Sequence, residues 1–344
     1  MLLKNKKINV AINGFGRIGR AVFKILLNQK DKINIVAIND LTDTKTLAHL
    51  LKYDSCYGIF DKKVIAKEDR IVVANKPYKI LAEKNPRNLP WKEMNVDIVL
   101  ECTGLFRTKE KADLHIKAGA KKVIISAPAK GDANIKTIVL GVNEQKILET
   151  DKIISNASCT TNCLAPVTDI IRKNFGIKKA IMTTIHSYTA DQRIVDGPHK
   201  DLRRARAAAV NIIPTTTGAA IATTKTIPSL KNRFDGMALR VPTPVGSICD
   251  IVFLTTKNIN EKKVNLAFKK ASQSISLRNI IEVSTEPLVS SDIIGNSASA
   301  IVDLELTKVV DGNMLKVVAW YDNECGYANR LADLVGYINR KKLI

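Results

Sequence analysis

One segment near the amino end constrains the fold more than any other. It is Asn13-Gly14-Phe15-Gly16-Arg17-Ile18-Gly19-Arg20, set between a short apolar run, Ile8-Asn9-Val10-Ala11-Ile12, and a stretch with apolar positions at Ile18, Val22, Ile25 and Leu26. The run before it reads as a buried strand and the stretch after it as an amphipathic helix, so the glycines fall at a strand-to-helix turn. There Gly14 permits the tight turn, Gly16 lets backbone approach a pyrophosphate, and Gly19 lets the helix pack close to the strand. A second apolar run over residues 33–38 ends at Asn39-Asp40. Asp40 lies about twenty residues past Gly19, the spacing at which a carboxylate accepts hydrogen bonds from an adenosine ribose. An acid there repels a 2′-phosphate and Leu41 beside it adds no cation, which favours NAD over NADP. Standing alone, Asp40 would serve equally as the cap of the following turn; strand, glycines, helix and acid in register favour the nucleotide.

Further apolar runs at 71–74, 96–100, 123–125, 138–140 and 153–154 read as strands, with helical patterns such as 109–118 between several of them. Such β/α alternation implies an α/β fold with a Rossmann-like, doubly wound parallel sheet. Glu101-Cys102-Thr103-Gly104 and Ser126-Ala127-Pro128 then lie at carboxyl ends of strands, where open sheets of this kind bind their ligands. Residue by residue, ordinary turn chemistry explains them equally well.

The block Ser155-Asn156-Ala157-Ser158-Cys159-Thr160-Thr161-Asn162-Cys163 places a thiol where a strand-like run turns into a helix-like one. Helix N-terminal amides and a nearby imidazole lower a thiol's pKa, and flanking hydroxyl and amide side chains cap the helix or bind an anion. By itself the block fits a buried structural cysteine too. Beyond it the character of the chain changes. A run at 180–184 leads into Ile185-His186-Ser187-Tyr188-Thr189, followed by a basic segment over 191–211 that is too long for an ordinary connection and reads as a functional loop or an interface. Thr215-Thr216-Thr217-Gly218-Ala219-Ala220 resembles a hydroxyl-rich helix entry, and 237–243 surrounds Arg240. Strands at 247–256, 299–309 and 314–320, with one helix at 262–275, suggest an α+β domain with a mostly antiparallel sheet. The last stretch has Tyr327, Leu331, Leu334, Val335 and Ile338 at helical spacing and suits a return to the first domain. The expected division is therefore a nucleotide domain over 1–158 completed by a helix at 323–344, and a catalytic domain over 159–322 that includes a loop at 190–214.

Composition narrows the function classes. The 344 residues are 45% apolar and 25% charged, values typical of a globular protein, and no run approaches the roughly 18 apolar residues of a membrane helix. Residues 1–7 are a short basic start without the apolar core of a signal peptide, so the expected location is the cytoplasm. Six cysteines and four histidines show no zinc spacing and no C-x-x-C pair, so no metal is expected. The net charge of +21, from 54 Lys and Arg against 33 Asp and Glu, favours anionic partners. The lysines are scattered rather than gathered in a tract, which points to solvated surface with at most weak, non-specific attraction for nucleic acid.

Taken together, Asn13 to Arg20, Ser158 to Cys163, His186-Ser187-Tyr188-Thr189, Asp201-Leu202-Arg203-Arg204-Ala205-Arg206 and Trp320-Tyr321-Asp322-Asn323-Glu324 resemble the phosphorylating glyceraldehyde-3-phosphate dehydrogenases in their bacterial-type, NAD-dependent form. The resemblance implies oxidative phosphorylation of D-glyceraldehyde 3-phosphate to 1,3-bisphosphoglycerate, a reaction of glycolysis and gluconeogenesis. Cys159 would form a thiohemiacetal and then a thioester, with His186 as its ion-pair partner and base. Thr189 and Arg240 would hold the substrate's phosphate, and Ser158, Thr160, Thr217 and Gly218 the attacking inorganic phosphate. Without the resemblance, Arg240 reads equally as a structural ion-pair partner and the threonines as helix caps. Asn13, Arg17, Ile18, Asp40, Thr103, Ser126 and Asn323 would contact NAD beside the glycine turn, with Asn323 orienting the carboxamide. The long basic segment resembles the family's interface loop and implies a homotetramer. Ile221, Cys325 and Val245-Gly246 depart from the commonest pattern without touching a proposed catalytic role. Rival readings are an erythrose-4-phosphate dehydrogenase, a semialdehyde dehydrogenase and, from another class, a nucleic-acid-binding protein.

Overall fold

A computed structural model describes residues 7–29, 32–131 and 135–344; the basic start ahead of Lys7 lies outside the described residues. Two compact units emerge, one of Met1–Ile138, Gln145–Ala157 and Ala328–Ile344, the other of Val139–Glu144 and Ser158–Tyr327.

In the first unit β1 (Ile8–Asn13) turns through the glycines into α1 (Arg17–Leu27), followed by β2 (Ile33–Asn39) and α2 (Thr44–Lys52). A short ribbon, β3 (Tyr53–Asp54) and β4 (Gly58–Ile59), precedes a meander of β5 (Val64–Lys67), β6 (Arg70–Val73) and β7 (Lys76–Leu81). Then come β8 (Ile98–Glu101), α3 (Lys109–Lys117), β9 (Lys122–Ile125), β10 (Lys136–Thr137) and β11 (Ile153–Ser155). Apart from the ribbon, these strands form one nine-stranded sheet in the order β10-β11-β9-β8-β1-β2-β7-β6-β5. The pairs from β10 to β7 are parallel, and β7-β6-β5 is antiparallel. β8 and β9 are buried along their whole length, as strands covered on both faces must be. α1 buries Gly19, Val22, Phe23 and Leu26, one helical stripe, against that sheet. Strand order reverses at β1, and Asn13 stands opposite both Asn39 and Glu101, so three carboxyl ends finish level.

Two expectations need correction here. The strand expected at 138–140 lies at Lys136–Thr137 instead. The Asn143 and Glu144 side chains accept from Val139 N and Gly141 N and bend the backbone into a turn there. The single strand expected at 71–74 belongs to a hairpin, because Ala74 and Asn75 both take positive φ, the backbone that reverses a tight two-residue turn.

The second unit opens with α4 (Cys159–Phe175) and β12 (Ile177–Ser187), then β13 (Ile213–Thr216), α5 (Ala219–Thr226), β14 (Phe234–Val241) and β15 (Ser247–Thr255). α6 (Glu261–Gln273), β16 (Ile281–Ser284), β17 (Ala300–Val310), β18 (Met314–Tyr321) and the start of α7 (Cys325–Arg340) complete it. Its seven strands run β13-β14-β12-β15-β18-β17-β16, antiparallel except for β12/β14 and β16/β17. α4 packs on β15, β17 and β18 of this sheet. Of the threonine run expected to open a helix, Thr215 and Thr216 lie in β13 and only Thr217 and Gly218 lead into α5. Among the described residues no helix is long and apolar enough to cross a membrane, and no group of three His, Cys, Asp or Glu side chains gathers around a metal position.

Candidate active site

The level carboxyl ends of β1, β2 and β8 open into a cleft of roughly 730 Å³. Asn13, Gly14, Gly16, Asp40 and Thr103 line it, together with Asn39, Leu41, Glu83, Cys102 and two apolar side chains that the sequence did not single out, Leu105 and Phe106. Its features fit a dinucleotide. Gly14 sits at φ +92°, and a Cβ there would lie 2.7 Å from Thr103 N. Gly16 begins α1 with open space around it, and no side chain caps the helix's first amides, so these donors suit a pyrophosphate. A Cβ on Gly19 would overlap the Gly14 carbonyl oxygen, so the third glycine serves helix packing. Phe15 is buried edge-on against Phe23, and its amide donates to Asp40 Oδ2 at 2.7 Å. Thr42 N donates to Asp40 Oδ1, so the carboxylate is oriented before any ribose arrives. Arg17 behaves differently: its Nη1 is 2.7 Å from Asp54 Oδ2, which ties α1 to the β3/β4 ribbon. Arg17, Ile18 and Ser126 do not line the cleft.

In the second unit the thiol and the imidazole come together. Ser158 caps α4 through its hydroxyl, accepting from Thr161 N, and so puts Cys159 on the first helical position. Cys159 Sγ is 3.4 Å from His186 Nε2. His186 Nδ1 is 2.7 Å from the Ser187 carbonyl oxygen, which accepts its proton and leaves the Nε2 lone pair facing the thiol. Because β12 and β14 pair parallel with His186 opposite Arg240, the guanidinium lies on the far side of the ring; Arg240 Nη1 donates to Ser187 O and stands 2.9 Å from Nδ1. Arg240 Nε is buried without a partner, and Arg240 enters no ion pair among the described residues.

Burial pushes the Cys159 thiol up, with Arg240 and Thr160 pulling the other way. Burial, then the charge of Arg240, holds the His186 ring down to about 3. Moving the thiol proton to Nε2 is a different step, because it creates both charges side by side and leaves the net charge of the pair unchanged. The α4 amides and Arg240 favour the thiolate so formed, so thiol and imidazole act as one unit.

Two residues given no role from the sequence, Tyr321 and Arg204, complete the surroundings together with several that were given one. Tyr321 OH bridges Thr160 Oγ1 at 2.9 Å and Thr184 Oγ1 at 2.8 Å, with its ring edge-on to His186. Arg204, noticed only as part of a basic motif, bonds Asp191 and Thr215; burial, then the nearby charge of Arg204, pulls the Arg240 guanidinium's pKa down. Asn323 Oδ1 accepts from Ser187 Oγ, Gly246 N and Ser247 Oγ, which leaves its NH2 group to donate. Thr217 Oγ1 accepts from Ala219 N, and Gly218 begins α5 without a side-chain cap. Thr189 is tied to Gln192 through its amide and carbonyl. No local sequence signal gives Tyr321 or Arg204 its role, since their partners, among them Thr160 on α4 and Thr215 on β13, lie elsewhere in the chain.

A dinucleotide cleft on one unit and a thiol–imidazole pair with a buried guanidinium on the other fit the class of dinucleotide-dependent oxidoreductases. Residues 8–109 match the glyceraldehyde 3-phosphate dehydrogenase NAD binding domain, and residues 158–323 the C-terminal domain of the same family. The chain is 54% identical over 335 residues to the glyceraldehyde-3-phosphate dehydrogenase of Streptomyces coelicolor, covering 97% of this chain and 99% of that one. It is 53% identical to the enzyme of that name from Geobacillus stearothermophilus (98% and 99% covered) and 52% identical to that of Borreliella burgdorferi (95% and 98% covered). The chain belongs to the glyceraldehyde-3-phosphate dehydrogenase family, and its cofactor is NAD.

Proposed function

We propose that the enzyme oxidises D-glyceraldehyde 3-phosphate and captures the acyl group with inorganic phosphate, giving 1,3-bisphosphoglycerate. The observation that carries this reading is Cys159 Sγ 3.4 Å from a His186 ring whose other face meets Arg240. Cys159 attacks the aldehyde carbon as His186 Nε2 takes the thiol proton, which passes to the new hydroxyl of the thiohemiacetal. His186 then withdraws that hydroxyl proton. NAD, held in the cleft, would supply the acceptor for the hydride leaving the same carbon. The acyl group remains on Cys159 as a thioester until phosphate displaces it.

Arg240, with its unpartnered Nε, and Thr189 are assigned to the substrate's phosphate. Ser158, Thr160, Thr217 and Gly218 at the start of α5 are assigned to the attacking one. For the cofactor, Asp40 takes the adenosine ribose and the α1 amides the pyrophosphate; Asn13 and Thr103 act from the cleft wall, Arg17, Ile18 and Ser126 from its flanks, and the NH2 group of Asn323 holds the carboxamide. Residues 1–158 with 323–344 serve as the nucleotide domain and 159–322 as the catalytic domain. The 190–214 loop folds back on itself through Gly197 N–Ala205 O and Ala208 N–Arg193 O, yet leaves Ile194 85%, Leu202 81% and Val210 76% exposed. Apolar side chains displayed in that way suit a subunit interface, and we assign the loop to a homotetramer in the cytoplasm.

The test is initial NADH formation from glyceraldehyde 3-phosphate or erythrose 4-phosphate, with and without phosphate, in wild type and Cys159→Ser. Phosphate-stimulated turnover of the triose that collapses in the variant is the expected result. Preference for the tetrose, or indifference to phosphate and to Cys159, would overturn the assignment.

A further inference from the structure

Beneath the dinucleotide cleft lies a buried polar chain that the reaction above does not use. Glu101, the last residue of β8, and His115 on α3 are enclosed. The carboxylate accepts on every side: from Asn13 Nδ2 at 2.6 Å, from Thr103 N at 2.8 Å and from the Thr103 hydroxyl. His115 Nε2 lies 3.1 Å from Glu101 Oε2, and behind the ring Trp91 Nε1 donates to His115 Nδ1 at 3.0 Å. An indole nitrogen only donates, so Nδ1 keeps a lone pair and the ring's proton sits on Nε2, pointing at Glu101. Trp91 thus fixes which ring nitrogen faces Glu101 with its proton. The carboxylate under the cleft thus has four donors around it and, among the described residues, no Lys or Arg paired with it.

We propose that this charge sets the cleft's preference between the two redox states of the dinucleotide, favouring NAD+ over NADH. The inference rests on the assignment of the cleft to NAD. With the pyrophosphate at α1 and the adenosine ribose at Asp40 on β2, the other half of the dinucleotide runs across the reversal at β1 to the β8 side. There Asn13 and Thr103, both bonded to Glu101, line the wall. The two redox forms differ by one positive charge on the nicotinamide ring. Contacts to the ADP-ribose part act on both alike and cancel from the ratio of affinities, whereas the field of Glu101 does not cancel. In water-poor surroundings one unit charge acting over several ångström is worth about tenfold in that ratio. A purely structural Glu101 would instead weaken both forms together, through lost placement of Asn13 and Thr103.

The experiment is equilibrium titration with NAD+ and with NADH, by calorimetry and by ring fluorescence, of wild type, Glu101→Gln, Glu101→Asp and Asp40→Asn. Wild type should bind NAD+ more tightly. Glu101→Gln should lower the NAD+ to NADH affinity ratio about tenfold, and Glu101→Asp, which keeps the charge, should restore it even where both affinities fall. Equal weakening of both forms in Glu101→Gln, or an unchanged ratio, overturns the proposal. Should Glu101→Gln fail to fold, equal or reversed affinities in wild type, or a lost preference in Glu101→Asp, would overturn it as well. Asp40→Asn separates the two layers of the argument: no effect on either form would remove NAD from this cleft. Weakening of both forms by Asp40→Asn, with an unchanged ratio in Glu101→Gln, would overturn the role of Glu101 alone.

Discussion

Arg240 Nη1 stands 2.9 Å from Nδ1 of His186, while Cys159 Sγ stands 3.4 Å from Nε2 across the same ring. One imidazole is thereby in touch with the nucleophile on one side and with an anion-seeking guanidinium on the other. In the proposed mechanism this arrangement would couple two jobs, because the guanidinium assigned to the phosphate also adds to burial in disfavouring a second proton on the ring.

Arg240→Leu is expected to lower kcat/KM for glyceraldehyde 3-phosphate by about 10²- to 10³-fold, the scale of a lost charge-assisted anion contact. Unphosphorylated glyceraldehyde should be affected far less. Steady-state kinetics on both aldehydes check this, and an equal loss on both would move Arg240 from phosphate binding into the chemistry.

The thiol should depend on the ring in a pH-dependent way. With His186 present, the proton leaving Sγ has an acceptor at 3.4 Å. In His186→Asn burial still pushes the thiol up, with no base beside it to take the proton. Less thiolate then exists at pH 7, and the midpoint for alkylation by iodoacetamide moves to higher pH. The rate at pH 7 should fall more than about tenfold; an unshifted midpoint would mean that the two groups ionise independently.

The first two glycines of the turn should respond differently to alanine. Gly14→Ala meets both a positive φ and the Thr103 backbone, so it should destabilise the first unit by roughly 2 kcal/mol or more. Gly16→Ala enters open space at the mouth of the cleft and should leave the melting temperature near that of wild type while weakening NAD binding. Thermal unfolding alongside NAD titration distinguishes them.

Lys122 is buried at the start of β9, its Nζ donating to the carbonyl oxygens of Leu148, Glu149 and Asp151. Lys122→Met keeps the stem and orphans these acceptors, so a loss of about 2 kcal/mol is expected in denaturant unfolding, with NAD affinity unchanged. A neutral outcome would mean that water replaces the ammonium there.

The hairpin of β6 and β7 shows where local reading stops. A single apolar run is visible at 71–74, but the reversal rests on Ala74 and Asn75, which carry no glycine to announce a positive φ. The turn at 139–144 was hidden for a similar reason: Asn143 and Glu144 bond backbone ahead of them, and an apolar run looks the same whether or not its amides find a ladder.

What the sequence determined by itself was whatever depends on neighbours along the chain. The strand–glycine–helix turn, the Ser158 cap that presents Cys159, and the alternation implying a parallel sheet all follow from periodicity and backbone preference within a few residues. Tertiary structure decided the rest. Arg240 meets His186 only because β12 and β14 pair in parallel register, and Tyr321 reaches Thr160 and Thr184 from β18. Glu101 gains its buried donors from β1, from the turn after β8 and from α3. Hydrogen bonds and charges act over a few ångström of space regardless of separation in sequence, so groups 54 or 161 positions apart become one site only when the sheet brings them together.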